Sequence, residues 1–226
     1  MLTAIEYCSG HDPHASIIWL HGLGADGSDF LPIAQQLALP VAVRFVFPNA
    51  PSMPVTINGG YVMPAWYDIA ASDIAATQDE AGIRRAQGMI EELIEREIER
   101  GVPSNSIVLA GFSQGGAIAL QTGLRFKQKL GGIIVLSAYL PLRQTLEQER
   151  SPANDELPIL MAHGTADTVI PIAAGRSSAE YLARSGYGVV WQEYPMPHTV
   201  CAEEIDAIRA FLVGVLPNQS GTDQPS

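Results

Sequence analysis

A serine between two glycines is the feature of this sequence best suited to chemistry. Ser113 stands in the run Gly111-Phe112-Ser113-Gln114-Gly115, after the apolar residues 107–110 and before the apolar residues 116–124. This order predicts a strand, a sharp turn and a helix, an arrangement called a nucleophile elbow that exposes the serine hydroxyl above a sheet. Glycines are expected on both sides because the backbone packs too closely there to leave room for a Cβ. Ser113 is therefore predicted to be a nucleophile.

The later part of the chain supplies a histidine suited to activating this serine. A serine hydroxyl is a weak nucleophile unless a base takes its proton and a third group orients that base. His198 follows a predicted strand and a proline-containing loop and directly precedes the last predicted helix. His11 and His14 lie in a polar amino-terminal segment and are expected to face solvent. His198 is therefore the predicted base.

Asp167 is the acid predicted to orient the histidine. It follows the predicted strand 158–163 through a short glycine-containing turn, so it should lie at the carboxyl end of that strand. Asp155 and Glu156 precede the same strand and are expected at the opposite edge of the sheet. The resulting order along the chain is the one that the α/β-hydrolase fold uses: Ser113, Asp167 and His198.

Acyl transfer at Ser113 also requires hydrogen-bond donors for the oxyanion that develops. In the α/β-hydrolase fold one donor is the backbone N–H after the nucleophile, here that of Gln114, and the other comes from a loop after an early strand. The glycine-rich turn 21–27 follows such a strand. A phosphate-binding loop is the competing interpretation of its glycines, but the terminal Gly-Lys-Ser/Thr is missing. We therefore expect the turn to contribute to an oxyanion hole.

The elements that must position these residues alternate along the chain. Short apolar runs predict strands over 16–20, 44–47, 107–110, 132–136, 158–163 and 189–193. Helical periodicity predicts helices over 29–37, 79–100, 114–125, 172–185 and 202–213. Strands that alternate with helices indicate crossover connections, a mostly parallel central sheet and helices on both of its faces. Ligands bind such sheets beyond the carboxyl ends of the strands, where Ser113 is expected.

Length and charge exclude several classes of function. The 226 residues are 47% hydrophobic, which suits a single domain over 1–216, while the Pro- and Ser-containing residues 217–226 are predicted to be a disordered tail. The net charge of −11 argues against nucleic-acid binding and against anionic membranes. Neither a secretory signal nor an apolar run long enough for stable membrane insertion is found, so a cytoplasmic location is expected. Cys8 and Cys201 are interpreted as free thiols.

Several motifs together give the chain a family resemblance. The sequence resembles the carboxylesterase and acyl-protein thioesterase family of the α/β-hydrolase superfamily, and is most similar to its bacterial carboxylesterases. The resemblance runs from about Ser16 to Leu212. It rests on the segments at 21–24, 58–68, 111–116, 136–141, 163–167 and 195–198.

The resemblance implies roles for particular residues. Ser113, Asp167 and His198 correspond to the catalytic triad, and the amides of Leu23 and Gln114 to the oxyanion hole. A compact α/β hydrolase without a large cap domain is implied, as is a reaction without cofactor. Independently, no group of histidines, cysteines and carboxylates has the spacing of metal ligands, so we expect no metal.

The loop between Phe47 and Trp66 is the predicted substrate-facing segment. It is rich in proline and apolar residues, so regular structure is not expected there. Trp66, Met63 and Val55 are predicted to line a wall for the acyl chain, although packing on the core is an equal alternative for each. With no inserted cap, the chain is predicted to act on small-molecule esters with short to medium acyl groups.

Other functions remain open at this stage. The same triad would hydrolyse a protein-bound fatty thioester or a lysophospholipid, because these substrates differ outside the motifs. A catalytically silent ligand-binding protein is disfavoured, since a binding module has no need of a nucleophile, base and acid in order. A cofactor-free perhydrolase would use the same triad, and no feature of the sequence distinguishes it from an esterase. The sequence also leaves a homodimer open.

Overall fold

The computed structural model describes residues 2–71 and 78–217, so most of the tail predicted over 217–226 lies outside the described residues. The strands of the described residues are β1 (Ala4–Cys8), β2 (Ala15–Leu20), β3 (Val43–Pro48), β4 (Ser52–Val55), β5 (Tyr61–Pro64), β6 (Ile107–Phe112), β7 (Gly132–Leu136), β8 (Ile159–Gly164) and β9 (Val189–Tyr194). The α-helices are α1 (Leu31–Gln36), α2 (Glu80–Glu99), α3 (Gln114–Gly123), α4 (Leu146–Glu149), α5 (Ile172–Arg184) and α6 (Ala202–Val215).

Seven strands form the central sheet in the order β1-β3-β2-β6-β7-β8-β9. Neighbouring strands run parallel except at one edge, where β1 pairs antiparallel with β3. The predicted mostly parallel sheet is confirmed. The carboxyl ends of the parallel strands therefore lie along one edge, from which the loops after β2, β6 and β8 all emerge.

Helices cover both faces of this sheet because successive strand side chains point to opposite sides. In β2, Ile17 and Trp19 pack with α1 and α6, whereas Ile18 and Leu20 pack with α2, α3 and α5. All four side chains are almost completely buried. The strands are apolar on both faces for this reason, which is why they appear in the sequence as continuous apolar runs.

The segment from Phe47 to Trp66 differs from the prediction. We expected no regular structure there, and this was wrong: β4 and β5 form an antiparallel hairpin, with Met53 opposite Met63. Gly59 and Gly60 make the turn with φ values of +66° and +80°. The prolines argued against a strand because they lack an N–H, but both strands of a two-stranded ribbon are edge strands, where proline is tolerated.

A buried carboxyl group lies in the first turn of α6. The side chain of Glu204 is fully buried, and within the described part of the chain it forms no ion pair and accepts no hydrogen bond from another side chain. Burial raises the pKa of Glu204 to about 8. The backbone N–H of Cys201 favours the carboxylate and lowers the pKa, but desolvation outweighs it. Glu204 is therefore mostly protonated at neutral pH in the folded protein.

This group makes the stability depend on pH. The pKa of Glu204 is higher in the folded chain than its ordinary value of 4.5, so the folded state binds more protons between these values and stability falls as pH rises through them. Glu204→Gln removes the titration. The Tm of the variant relative to wild type should rise from pH 5 to pH 9 by on the order of 10 °C. Thermal melts at several pH values test this, with exposed Glu203→Gln as the control, and parallel Tm curves for Glu204→Gln and wild type would contradict it.

Candidate active site

The predicted elbow is present between β6 and α3. Ser113 adopts φ 54° and ψ −121°, a left-handed conformation that side-chain-bearing residues rarely adopt. Its N–H donates to the carbonyl of Leu136 at 2.8 Å, and the residue is 9% exposed. A Cβ at Gly111 would overlap the backbone of Gly115, and one at Gly115 would overlap the end of β2. The expected close packing around both glycines is confirmed.

Asp167 and His198 come together at the carboxyl ends of β8 and β9. Asp167 Oδ2 lies 2.7 Å from Nδ1 of His198, and the Asp167 side chain is fully buried. Asp167 Oδ1 accepts hydrogen bonds from the N–H groups of Val169 and Ile170, each at 2.9 Å. The carboxylate is thereby fixed in place by its own loop. When His198 Nδ1 donates to it, Nε2 is left without its proton and can act as an acceptor.

Phe112 connects this pair to the elbow. The rings of Phe112 and His198 lie with their centroids 4.6 Å apart, and Phe112 directly precedes Ser113. Among the described residues no hydrogen bond yet joins the Ser113 hydroxyl to the His198 ring. Such bonds are often long in an enzyme without substrate and shorten when substrate binds. The structure therefore brings the three predicted residues to one place.

The amides predicted for the oxyanion hole lie beside Ser113. A Cβ at Gly22 would come 3.5 Å from Cβ of Ser113, so the loop that carries Leu23 packs directly on the elbow. Within the described ranges, the N–H groups of Leu23 and Gln114 donate to no protein acceptor. The next amide, that of Gly24, donates to the carbonyl of Pro64 at 2.9 Å. Two unpaired N–H groups therefore remain on the two segments that meet at Ser113.

Two histidines to which the sequence analysis gave no role support these loops. His21 Nδ1 donates to the Gly22 carbonyl at 2.7 Å, and Nε2 accepts from the Ala50 N–H at 3.0 Å. Burial lowers the pKa of His21, which favours this neutral form. His163 Nε2 donates to the Ile170 carbonyl at 2.8 Å and lies 3.4 Å from Asp167 Oδ2. Both histidines stood in the quoted motifs, but the motifs do not reveal burial.

Trp66 lies behind the site rather than on an open surface of it. It is 2% exposed, and its indole Nε1–H donates to the His21 carbonyl at 2.9 Å. The Gln114 side chain accepts from the Trp66 N–H at 2.8 Å and donates to the Tyr67 carbonyl at 2.7 Å. Trp66 therefore packs in the core, which was the alternative to contact with the acyl chain. Its hydrogen bonds join the oxyanion loop to the elbow.

The other two predicted substrate contacts are placed differently from each other. Val55 is fully buried, so it belongs to the supporting structure of the hairpin. Met63 is partly buried, and its sulfur would lie 3.6 Å from a Cβ at Gly24, next to Leu23. Of the three residues, only Met63 lies at a partly exposed position beside the oxyanion loop.

A change at Trp66 should act through the oxyanion loop. Trp66→Phe removes the hydrogen bond to His21 and leaves a buried carbonyl unpaired, which costs about 1–3 kcal/mol. We expect kcat/KM to fall about tenfold and by the same factor for acetate and octanoate esters. Trp191→Phe is the control for loss of an indole hydrogen bond, because its indole donates to Glu193 on the edge strand β9, and phenylalanine keeps an aromatic ring beside His163, whose centroid lies 6.1 Å away. A loss confined to octanoate would instead indicate direct contact with the acyl chain.

This combination of fold and site defines a class of protein. A mostly parallel sheet with helices on both faces, a serine elbow after a central strand and an Asp–His pair on later loops make the chain a hydrolase of the α/β-hydrolase fold. Residues 4–216 match the Phospholipase/Carboxylesterase family, and the chain belongs to that family.

Individual relatives agree with this assignment. The chain is 43% identical to acyl-protein thioesterase 1 of Neurospora crassa over 214 residues, which cover 90% of this chain and 87% of the relative. The crystal structure of Arabidopsis thaliana SOBER1 matches with a TM-score of 0.83 and 30% identity, over 88% of this chain and 97% of that one. Zea mays acyl-protein thioesterase 2 matches with a TM-score of 0.82 and 28% identity, over 94% and 99% of the two chains.

Among the helices of residues 2–71 and 78–217, none combines the length and the apolar character needed to cross a bilayer.

Proposed function

We propose that this chain is a serine thioesterase that removes fatty acyl groups from cysteine side chains of proteins or peptides. The observation that carries the proposal is the 2.7 Å contact between Asp167 and His198 next to the elbow serine. It supports a triad of Ser113, His198 and Asp167, with the Leu23 and Gln114 amides as the oxyanion hole. The reaction needs no cofactor and no metal.

In the first half of the reaction Ser113 becomes acylated. His198 Nε2 takes the Ser113 proton while Oγ forms a bond to the acyl carbon, whose carbonyl electrons move onto oxygen. The two amides stabilise the resulting oxyanion. When the carbonyl re-forms, the C–S bond breaks, its electron pair leaves with sulfur, and His198 returns the proton to that sulfur. The products are a free thiol and an ester on Ser113.

The second half repeats these steps with water. His198 removes a proton from water, whose oxygen attacks the ester carbonyl, and then protonates Ser113 Oγ as the C–O bond breaks. A free carboxylic acid leaves and the enzyme is restored. Throughout, Asp167 holds Nδ1 protonated and stabilises the imidazolium without taking its proton.

Two findings bear on the substrate. Two of the relatives reported above, from Neurospora crassa and Zea mays, are named acyl-protein thioesterases, which favours protein thioesters over the small esters that we expected from the sequence. The family description also includes carboxylesterases, so small esters remain the second candidate. Apolar side chains near the site suit either acyl group: Met63 adjoins the oxyanion loop, and Val169, two residues after Asp167, is 61% exposed.

A direct comparison of substrates tests the proposal. We expect a peptide with an S-palmitoyl cysteine to be hydrolysed with a kcat/KM at least equal to that of p-nitrophenyl butyrate. Free thiol is the product to quantify, with Ser113→Ala as the enzyme control and an N-palmitoyl peptide as the substrate control. Butyrate hydrolysis without thioester turnover would instead establish the small-ester function. Loss of both activities would contradict the serine hydrolase assignment.

A further inference from the structure

A pocket outside the predicted substrate loop lies against His198. Its volume is about 320 Å³, and it opens between the loop after β9 and the start of α1. Its apolar lining is formed by Phe30, Ile33, Phe112 and Val200. Nothing in the proposed mechanism uses this space.

The position of the pocket relates it to one part of the substrate. During collapse of the tetrahedral intermediate, His198 protonates the leaving sulfur, so the leaving group must lie on the His198 side of Ser113. The pocket is lined by His198 itself. The hairpin instead joins the oxyanion loop, through the hydrogen bond from Gly24 to Pro64, and does not line this pocket. The leaving group is therefore assigned to the pocket and the acyl chain to the hairpin.

The lining combines aromatic side chains with a carboxylate. Phe30 lies beside Phe112 with tilted rings and centroids 5.8 Å apart, and Phe112 in turn packs on His198, so a row of mostly buried rings borders the pocket. Asp29 is the acidic residue on the lining. It is exposed, and among the residues described its carboxylate makes no hydrogen bond or ion pair. Cations are attracted both to carboxylates and to aromatic faces.

We infer that this pocket is a leaving-group subsite that prefers a cationic side chain, a lysine or arginine within one or two residues of the acylated cysteine. The inference rests on the proposed thioesterase function and specifies its peptide side. Asp29 acts as a specificity residue that attracts the charge, while the aromatic wall contacts the aliphatic part of the same side chain. The preference should weaken with added salt, because Asp29 is exposed.

Two S-octanoyl peptides that differ only in Lys or Glu next to the cysteine test the inference. For wild type we expect kcat/KM to favour the Lys peptide by about fivefold, the size of an exposed charge interaction. Asp29→Asn should bring this ratio close to one, and Asp29→Lys should invert it. Asp12→Asn is the matched control, since Asp12 is exposed and precedes β2, at the opposite edge of the sheet. It should keep the wild-type ratio.

The outcomes separate the two claims. If Asp12→Asn lowers the ratio as much as Asp29→Asn, the preference reflects the overall charge of −11, and the subsite is wrong. An unchanged ratio in Asp29→Lys, with a normal circular dichroism spectrum, also overturns the subsite while leaving the thioesterase function intact. Failure of wild type to release thiol from either peptide would overturn the proposed function and the subsite together.

Discussion

Ser113→Ala should abolish hydrolysis while the protein stays folded. The change removes the oxygen proposed to attack the substrate carbonyl, and losses on replacing a nucleophilic serine are on the order of 10⁴- to 10⁶-fold in kcat. Folding should be preserved because alanine keeps the Cβ that the strained φ of 54° already accommodates. Steady-state rates on a thioester peptide and a p-nitrophenyl ester, together with thermal melts, measure both effects.

A second serine offers a matched control for this experiment. Ser137 follows β7 as Ser113 follows β6, and it also has a positive φ, of 50°. Its hydroxyl is buried and has no hydrogen-bond partner in the described structure. Ser137→Ala should therefore retain both activity and labelling by a fluorophosphonate, whereas Ser113→Ala should lose both. Labelling that persists in Ser113→Ala would show that the nucleophile is a different residue.

Asp167→Asn should produce the second large loss, about 10⁴-fold in kcat. An asparagine oxygen can still accept the Val169 and Ile170 N–H groups, so the loop is expected to stay in place. Its amide N–H₂ would then face His198 Nδ1 and favour the tautomer in which Nδ1 accepts. In that tautomer Nε2 carries the proton and cannot take one from Ser113. KM should change little, because Asp167 is buried and does not contact the substrate.

The control for Asp167 is an acidic residue before the same strand. Glu156 is exposed and precedes β8, so Glu156→Gln should leave the rate unchanged. Pre-steady-state kinetics should show that Asp167→Asn slows acylation and not product release. A decrease of less than tenfold in Asp167→Asn, or a large decrease in Glu156→Gln, would remove Asp167 from the proposed triad.

The candidate site could be predicted from the sequence because its residues follow strands that are recognisable as apolar runs. Each parallel strand is buried on both faces and appears as a continuous apolar run, and the carboxyl ends of such strands share one edge. It was therefore possible to predict that residues after β6 and β8 lie near one another. The hairpin at Ser52–Pro64 and the edge strand β1 were not predicted, because their half-exposed, proline-containing or polar residues resemble those of loops.

The sequence by itself determined the order of the predicted catalytic residues along the chain: a serine in an elbow, then an acid, then a histidine, each after a strand. Only the tertiary structure decided which side chains face the site and which support it. Trp66 and Val55 are buried, His21 and His163 support the loops, and Glu204 is enclosed without a side-chain partner among the described residues. The physical reason is that local patterns fix backbone conformation, whereas burial depends on what packs against a residue from distant parts of the chain.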